Sequence, residues 1–267
     1  MSSSKDDTSN IDKPSQAKKR KSEIACVDYS NLAYDRSSEQ KGLMLIINMP
    51  KDRQGSGEDV EKLNDVFSNT FKFDVEQILD QTKEDLLKEL LEIRDTYMKN
   101  QRMARKYYCF VCVVMSHGNE KGICTKDDKM ITIDEITKNF KNTELKEFLG
   151  KPKVFIVQSC RGCNTQPLVE SDDLGDNIVS LPDDADVLIA YATTPGYKSF
   201  RTVYSDIGAW FIHALLDVLE DQYKGQHLEE MLITVRHKLA TEEKYRTNEY
   251  RQMPCVWTTL TKRLYLS

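Results

Sequence analysis

Long hydrophobic runs are missing from this chain. Its core-like stretches are short, Tyr107–Met115 being nine residues, whereas a bilayer-spanning helix needs about 20. No membrane span is expected. The first residues are rich in Ser, Lys and Asp, with no apolar signal region, so the expected compartment is the cytosol. Excess positive charge is also lacking. A net charge of −5 gives no reason to expect nucleic acid as the main partner. Paired cysteine is absent in the simplest sense, because the seven cysteines are an odd number. Three of them fall in core-like strands, which suits reduced thiols better than a disulfide framework. No internal repeat is present. At 267 residues there is enough chain for one sizeable domain.

What is present centres on Val154-Phe155-Ile156-Val157-Gln158-Ser159-Cys160-Arg161-Gly162. Four apolar residues in a row suit a strand buried on both faces of a parallel sheet. Reactive groups in open α/β sheets sit at the carboxyl ends of strands. Cys160 stands there as a candidate nucleophile, or as an ordinary buried cysteine. A second stretch, Tyr107–Met115, has the same character and runs into Ser116-His117-Gly118. His117 and Cys160, 43 positions apart, can meet at one sheet edge. A thiol attacks as the thiolate, and a nearby imidazole takes its proton. The other histidines, His213, His227 and His237, sit in helical patterns and read as surface or packing residues.

Along the chain, residues 1–40 lack periodicity and read as a disordered tail. Its Lys18-Lys19-Arg20-Lys21 run fits a nuclear signal or a solvated charge run. Leu43–Ile47 is a buried strand, and a loop covers 51–57. Val60, Leu63 and Phe67 recur at helical spacing. Val75 and Ile78 mark a strand. Thr82 with Asp85 opens a helix carrying Leu86 to Ile93. Residues 118–132 read as a hairpin, and Asp134 caps a helix through Phe140. Residues 164–184 are acidic, with Pro and Gly but few apolar residues, and form a surface loop. A strand at 186–192, helices at 206–219 and 228–240, and a last strand at 256–266 complete the pattern. The expected fold class is α/β: a mostly parallel sheet with helices on both faces.

Gln158-Ser159-Cys160-Arg161-Gly162 resembles the nucleophile signature of the caspase family, with Ser where Ala is usual. Ser116-His117-Gly118 is similar to that family's histidine motif. Tyr191–Tyr197, Gly208–Ile212, and Met253–Val256 through Leu264–Leu266 also look caspase-like, so the resemblance spans about residues 41–267. It implies a six-stranded sheet and a cysteine endopeptidase cutting after Asp, in apoptosis, without metal or cofactor. Cys160 would be the nucleophile and His117 the general base and acid. The backbone N–H groups of Gly118 and Cys160 would hold the oxyanion, and no acidic third member is needed. Residues 1–40 would be a short prodomain, 41–172 a large subunit, 173–183 a cleavable linker and 184–267 a small subunit. Cleavage would fall at Asp173-Leu174-Gly175-Asp176 or after Asp172. Two large and two small subunits would assemble through the last strand. The partners implied are protein substrates and a second copy or another caspase.

The resemblance also implies that two arginines and a glutamine hold the substrate Asp. Gln158 matches the glutamine and Arg201 the small-subunit arginine. Ser199 and Phe200 flank that site, Phe200 as an apolar subsite wall or as core packing. In register, the first arginine should stand at Gly55. Arg53, two residues earlier, is the nearest candidate, and its other reading is a solvated loop charge. That departure motivates a rival reading: a caspase-like regulator that dimerises with an active relative but cuts poorly. Cys160-Arg161-Gly162-Cys163 also allows a redox dithiol, although the residues after Cys163 open a loop rather than a helix. A zinc site joining it to Cys109 and Cys112 is disfavoured, since positions three apart on a strand face opposite ways.

Overall fold

The apolar runs become neighbouring strands of one six-stranded sheet. The computed structural model describes residues 32–162, 182–202 and 208–266. The sheet consists of β1 (Lys41–Asn48), β2 (Asp74–Leu79), β3 (Tyr107–Met115), β7 (Lys153–Gln158), β8 (Val187–Tyr191) and β11 (Cys255–Thr258), in the order β11-β8-β7-β3-β1-β2. Only the β11–β8 pair is antiparallel. Short strands β4 (Gly118–Asn119), β5 (Gly122–Cys124) and β6 (Met130–Ile131) form a small sheet of their own, where a simple hairpin was expected. Strands β9 (Arg201–Thr202) and β10 (Gly208–Ala209) form another.

Helices cover both faces because both faces of the central strands are apolar. Every residue of β3 is buried. On one side Met44, Ile46, Val111, Val113, Val154 and Ile156 pack with α1 (Ser56–Asp65), α5 (Trp210–Gln222) and α6 (Leu228–Thr241). On the other, Leu45, Phe110, Val114 and Phe155 pack with α2 (Lys83–Ile93) and α4 (Ile133–Thr137). A short helical turn, α3 (Gln101–Ala104), leads into β3. Burying a side chain of this size contributes about 1.5–3 kcal/mol, so these two layers dominate stability. Cys109 and Cys112 are both buried and lie on opposite sides of the sheet.

Several expectations are corrected. Ala33 and Tyr34, expected within the disordered tail, are held by the folded chain: Ala33 bridges to Arg263, and the Tyr34 hydroxyl donates to Asp186 Oδ1 at 2.7 Å. The buried ring and its carboxylate partner anchor a segment that has no periodicity of its own. The cap of α4 is Thr132 rather than Asp134, because Thr132 and Glu135 form a reciprocal capping box. Helix α1 stops at Asp65, and a wider turn over Val66–Thr70 brings Phe67 within 5.3 Å of Phe71 and 5.2 Å of Phe73, centroid to centroid. The last strand covers only Cys255–Thr258. There the Thr259 N–H still donates to Val187 O at 2.7 Å, but its carbonyl accepts from Asp186 N–H at 3.0 Å and its hydroxyl takes the Val187 N–H at 3.2 Å, which breaks the ladder. Helix α5 begins at Trp210. The expected cleavage positions Asp172, Asp173 and Asp176, and Cys163, lie outside the described residues, as do residues 1–31.

Candidate functional site

The register of the sheet levels the ends of its central strands. Asn48 stands opposite Met115 in the β1–β3 pair, and Met115 stands opposite Gln158 in the β3–β7 pair. Past these residues the chain leaves the core. Two positions on from Met115 is His117, and two on from Gln158 is Cys160. His117 is exposed and Cys160 is half-buried. Gly118 is where the two loops meet: a Cβ there would lie 2.9 Å from the Cys160 carbonyl oxygen and 3.0 Å from Ser159 Cβ. Only a residue without a side chain lets the backbones come this close.

The Cys160 thiol is held by Ser199 rather than by His117. The Ser199 N–H donates to Sγ at 3.4 Å, and the Ser199 carbonyl and hydroxyl oxygens each lie 3.7 Å from it.

The loop carrying Cys160 is clipped to the 194–199 loop. Arg161 N–H donates to Tyr197 O at 2.9 Å, and Gly196 N–H to Arg161 O at 2.8 Å. Gln252, a residue with no motif to mark it, braces the far side of that loop. Its Nε2 donates to Ala192 O at 2.8 Å, and its Oε1 accepts from Phe200 N–H at 2.6 Å. Phe200 itself is partly buried, 5.1 Å from the Trp210 ring and 6.5 Å from Tyr250.

Beside the thiol lies a cluster of buried polar groups. Gln158 is 5% exposed; its Nε2 donates to Ser199 Oγ at 3.2 Å, and its Oε1 is buried with no partner among the described residues. Arg201 donates through Nη2 to Asp59, while its Nη1 is buried with no partner among the described residues. Arg53 is 8% exposed, so it is not a solvated loop charge. Its Nη1 donates to Asn48 Oδ1 at 2.8 Å, which folds the side chain back under the sheet edge. Burial drops its guanidinium to about 10, helped by the like charge of Arg201, while Asp59 and Cys160 act in the opposite sense. Arg53, Arg201, Asp59, Gln158 and Cys160 therefore form one neighbourhood.

Two buried guanidinium groups with an unpaired nitrogen and an unpaired amide oxygen suit a planar anion that also offers a donor or backbone N–H nearby. Asp59 was invisible to motif reasoning. An acid in the first turn of a helix reads as a partner of the helix dipole, and nothing in the sequence marks it as buried. Burial pushes the Cys109 thiol up to about 12 and the Cys112 thiol higher still.

Comparison with known proteins agrees with this geometry. The family model described as the caspase domain matches residues 41–265. Caspase-3 of Mus musculus is 32% identical over 253 residues, covering 89% of this chain and 88% of the relative. Caspase-3 of Xenopus laevis is 32% identical over 245 residues, covering 87% and 82%. The crystal structure of caspase-1 from Spodoptera frugiperda superposes with a TM-score of 0.76 at 24% identity, over 90% of this chain and 95% of the other. With the fold, the strand-end cysteine and histidine, and a family match across most of its length, the chain belongs to the caspase family.

Proposed function

We propose that this chain is a cysteine endopeptidase that cleaves proteins on the carboxyl side of Asp, in apoptosis. The observation that carries this reading is the set of buried, unsatisfied polar atoms beside the thiol. Arg201 Nη1 and Gln158 Oε1 have no partner among the described residues, and leaving such atoms unmet costs about 1–3 kcal/mol each. A substrate Asp carboxylate, with Arg53 as the second guanidinium, meets the arginines' need and fills the site.

The chemistry follows from the side chains. His117 takes the Cys160 proton, and the thiolate attacks the carbonyl carbon after the substrate Asp. The oxyanion is held by the Gly118 and Cys160 N–H groups. The intermediate collapses to a thioester as the peptide C–N bond breaks, and His117 returns its proton to the departing amine. Water, activated by His117, then hydrolyses the thioester and regenerates the thiol. The exposure of His117 leaves that water a path.

Maturation belongs to the same reading. Cleavage at Asp172, Asp173 or Asp176 separates a large subunit bearing His117 and Cys160 from a small one bearing Arg201. Two such pairs assemble through β11. Its position as the sheet's edge strand and the 46% exposure of Trp257 support this. The protein works in the cytoplasm and, through Lys18-Lys19-Arg20-Lys21, in the nucleus.

The test is labelling with an Asp-bearing covalent electrophile, read by intact-mass and peptide mass spectrometry. An adduct on Cys160 that is lost in His117→Ala and Arg201→Ala is the expected result. No adduct from this probe, while a small unselective alkylator still labels Cys160, would sink the reading.

A further inference from the structure

The Arg201 guanidinium has already found a carboxylate inside the protein. Asp59, on the first turn of α1, pairs with Arg201 Nη2, and the two side chains are only 4% and 14% exposed. The second carboxylate oxygen is walled in. A Cβ on Gly208 would stand 2.5 Å from Asp59 Oδ1, and the Ala209 N–H donates to the carboxylate. Gly208 has φ 57°, a conformation that glycine adopts without strain. Arg53 also lies within electrostatic reach of Asp59. Among the described residues the pocket therefore brings together two cations and one internal anion. Arg201 Nη1 and Gln158 Oε1, without a partner among the described residues, remain for a ligand.

We propose that Asp59 is an internal counter-ion of Arg201 that competes with the substrate carboxylate and so tunes the affinity and selectivity of the pocket. This rests on the Asp-cleaving reading above. The physical reason is that a guanidinium shared between two carboxylates attracts each less than it would attract one alone. The two acids also repel each other across it in a medium where charges are poorly screened. Asp59 acts through Arg201 and is a positioning residue. In return it lowers the cost of two buried guanidinium groups facing each other in the empty pocket. Selectivity and stability thus oppose each other at one residue.

The groups facing Asp59 are Arg201 on β9, Arg53 on the loop after β1, and the Ala209 N–H on β10. Asp59 also lines a groove with Lys62 and Asp65 of its own helix and with His213, Asp217 and Glu220 of α5. Burial raises the Asp59 carboxyl above its usual range, and Arg201 is the main force opposing the rise. Acidification should therefore discharge Asp59 ahead of an ordinary carboxylate.

The experiment measures binding of matched fluorescent peptides bearing Asp or Asn before the scissile bond. It uses the full chain with Cys160→Ser, with and without Asp59→Asn. The expected result is about tenfold tighter binding of the Asp peptide to Asp59→Asn, little change for the Asn peptide, and a lower melting temperature of the free variant. A purely structural Asp59 would lower the melting temperature and leave the Asp-over-Asn ratio unchanged. That result, or weaker Asp binding, overturns the proposal and spares the peptidase reading. No preference for Asp over Asn in either protein overturns both.

Should Asp59→Asn not fold, a peptide with cysteic acid at the same position decides, since its sulfonate stays anionic. Binding is followed from neutral to mildly acidic pH with His117→Ala and His213→Gln added, so that neither imidazole contributes. Affinity that rises as pH falls supports the counter-ion, and affinity that is flat or falls overturns it.

Discussion

Replacing Arg53 with Ala tests the least regular part of the site. Arg53 stands two places before the position at which a pocket arginine is expected, yet it is 8% exposed and within electrostatic reach of Arg201 and Cys160. A charge-assisted hydrogen bond to a substrate carboxylate contributes about 1.5–3 kcal/mol. At tenfold per 1.36 kcal/mol, losing it lowers kcat/KM on Asp peptides by about one to two decades. The side chain has a second duty, because its Nη1 donates to Asn48 Oδ1 at 2.8 Å. Removing it leaves that buried oxygen short of a donor, at a stability cost of about 1–3 kcal/mol. Relief of repulsion from Arg201 offsets part of this.

The two duties separate in the assay. The ratio of kcat/KM for peptides with Asp and Asn before the cut reads only carboxylate recognition, while thermal melting reads the Asn48 contact. Arg53→Ala should lose at least tenfold of that ratio. Arg53→Lys should fall between Ala and the native enzyme, because an ammonium keeps the charge but not the planar fork. An unchanged Asp-to-Asn ratio in Arg53→Ala, with a lowered melting temperature, would refute the reasoning. Arg53 would then be only a buttress for the end of β1.

Two further predictions concern titration. Lys153 is fully buried; its Nζ donates to Asn142 Oδ1 at 2.9 Å and to Lys151 O at 3.1 Å, and burial drops it to about 8. The unfolded chain therefore binds more protons than the folded one above about pH 8, so this residue makes stability rise with pH there. Chemical denaturation from about pH 7.5 to 9 should show native stability gaining on that of Lys153→Met, and parallel curves would count against a proton lost at Lys153. With iodoacetamide at neutral pH, the folded protein should label at Cys160 and stay unlabelled at Cys109 and Cys112, whose thiols burial raises. Peptide mass spectrometry showing Cys112 modified as fast as Cys160 would contradict that placement.

The parts of the molecule legible in its sequence are those built by period and burial. The runs Leu43–Ile47, Tyr107–Met115 and Val154–Val157 had one physical solution, strands covered on both faces, and the sheet results from them. Thr82 was legible as a cap because its hydroxyl needs only a local partner, the Asp85 N–H at 3.2 Å. Where two local caps compete, the sequence is ambiguous: Thr132 outdoes Asp134 through its reciprocal bond with Glu135. Tyr34, Gln252 and Asp59 were not legible. Each is fixed by a partner far along the chain, at Asp186, at Ala192 and Phe200, and at Arg201. No spacing rule reaches that distance.

The same distinction explains why His117 and Cys160 were readable while their neighbours were not. Parallel register puts Met115 level with Gln158, and each reactive residue comes two places later. Their proximity is thus a property of the ladder, which buried apolar faces hold in place, since a slip of one residue would turn every core side chain to the opposite face. The arginines have no such guide. Arg53 lies in a loop and Arg201 on a two-residue strand, and neither is positioned by period. What holds them is charge: Asp59 on Arg201, the Asn48 amide oxygen on Arg53, and mutual repulsion between the two. An arginine moved by two residues can therefore reach the same neighbourhood, provided a buried acceptor waits for it. His117 and Cys160 have less latitude, because each follows by two places a strand end that the ladder fixes.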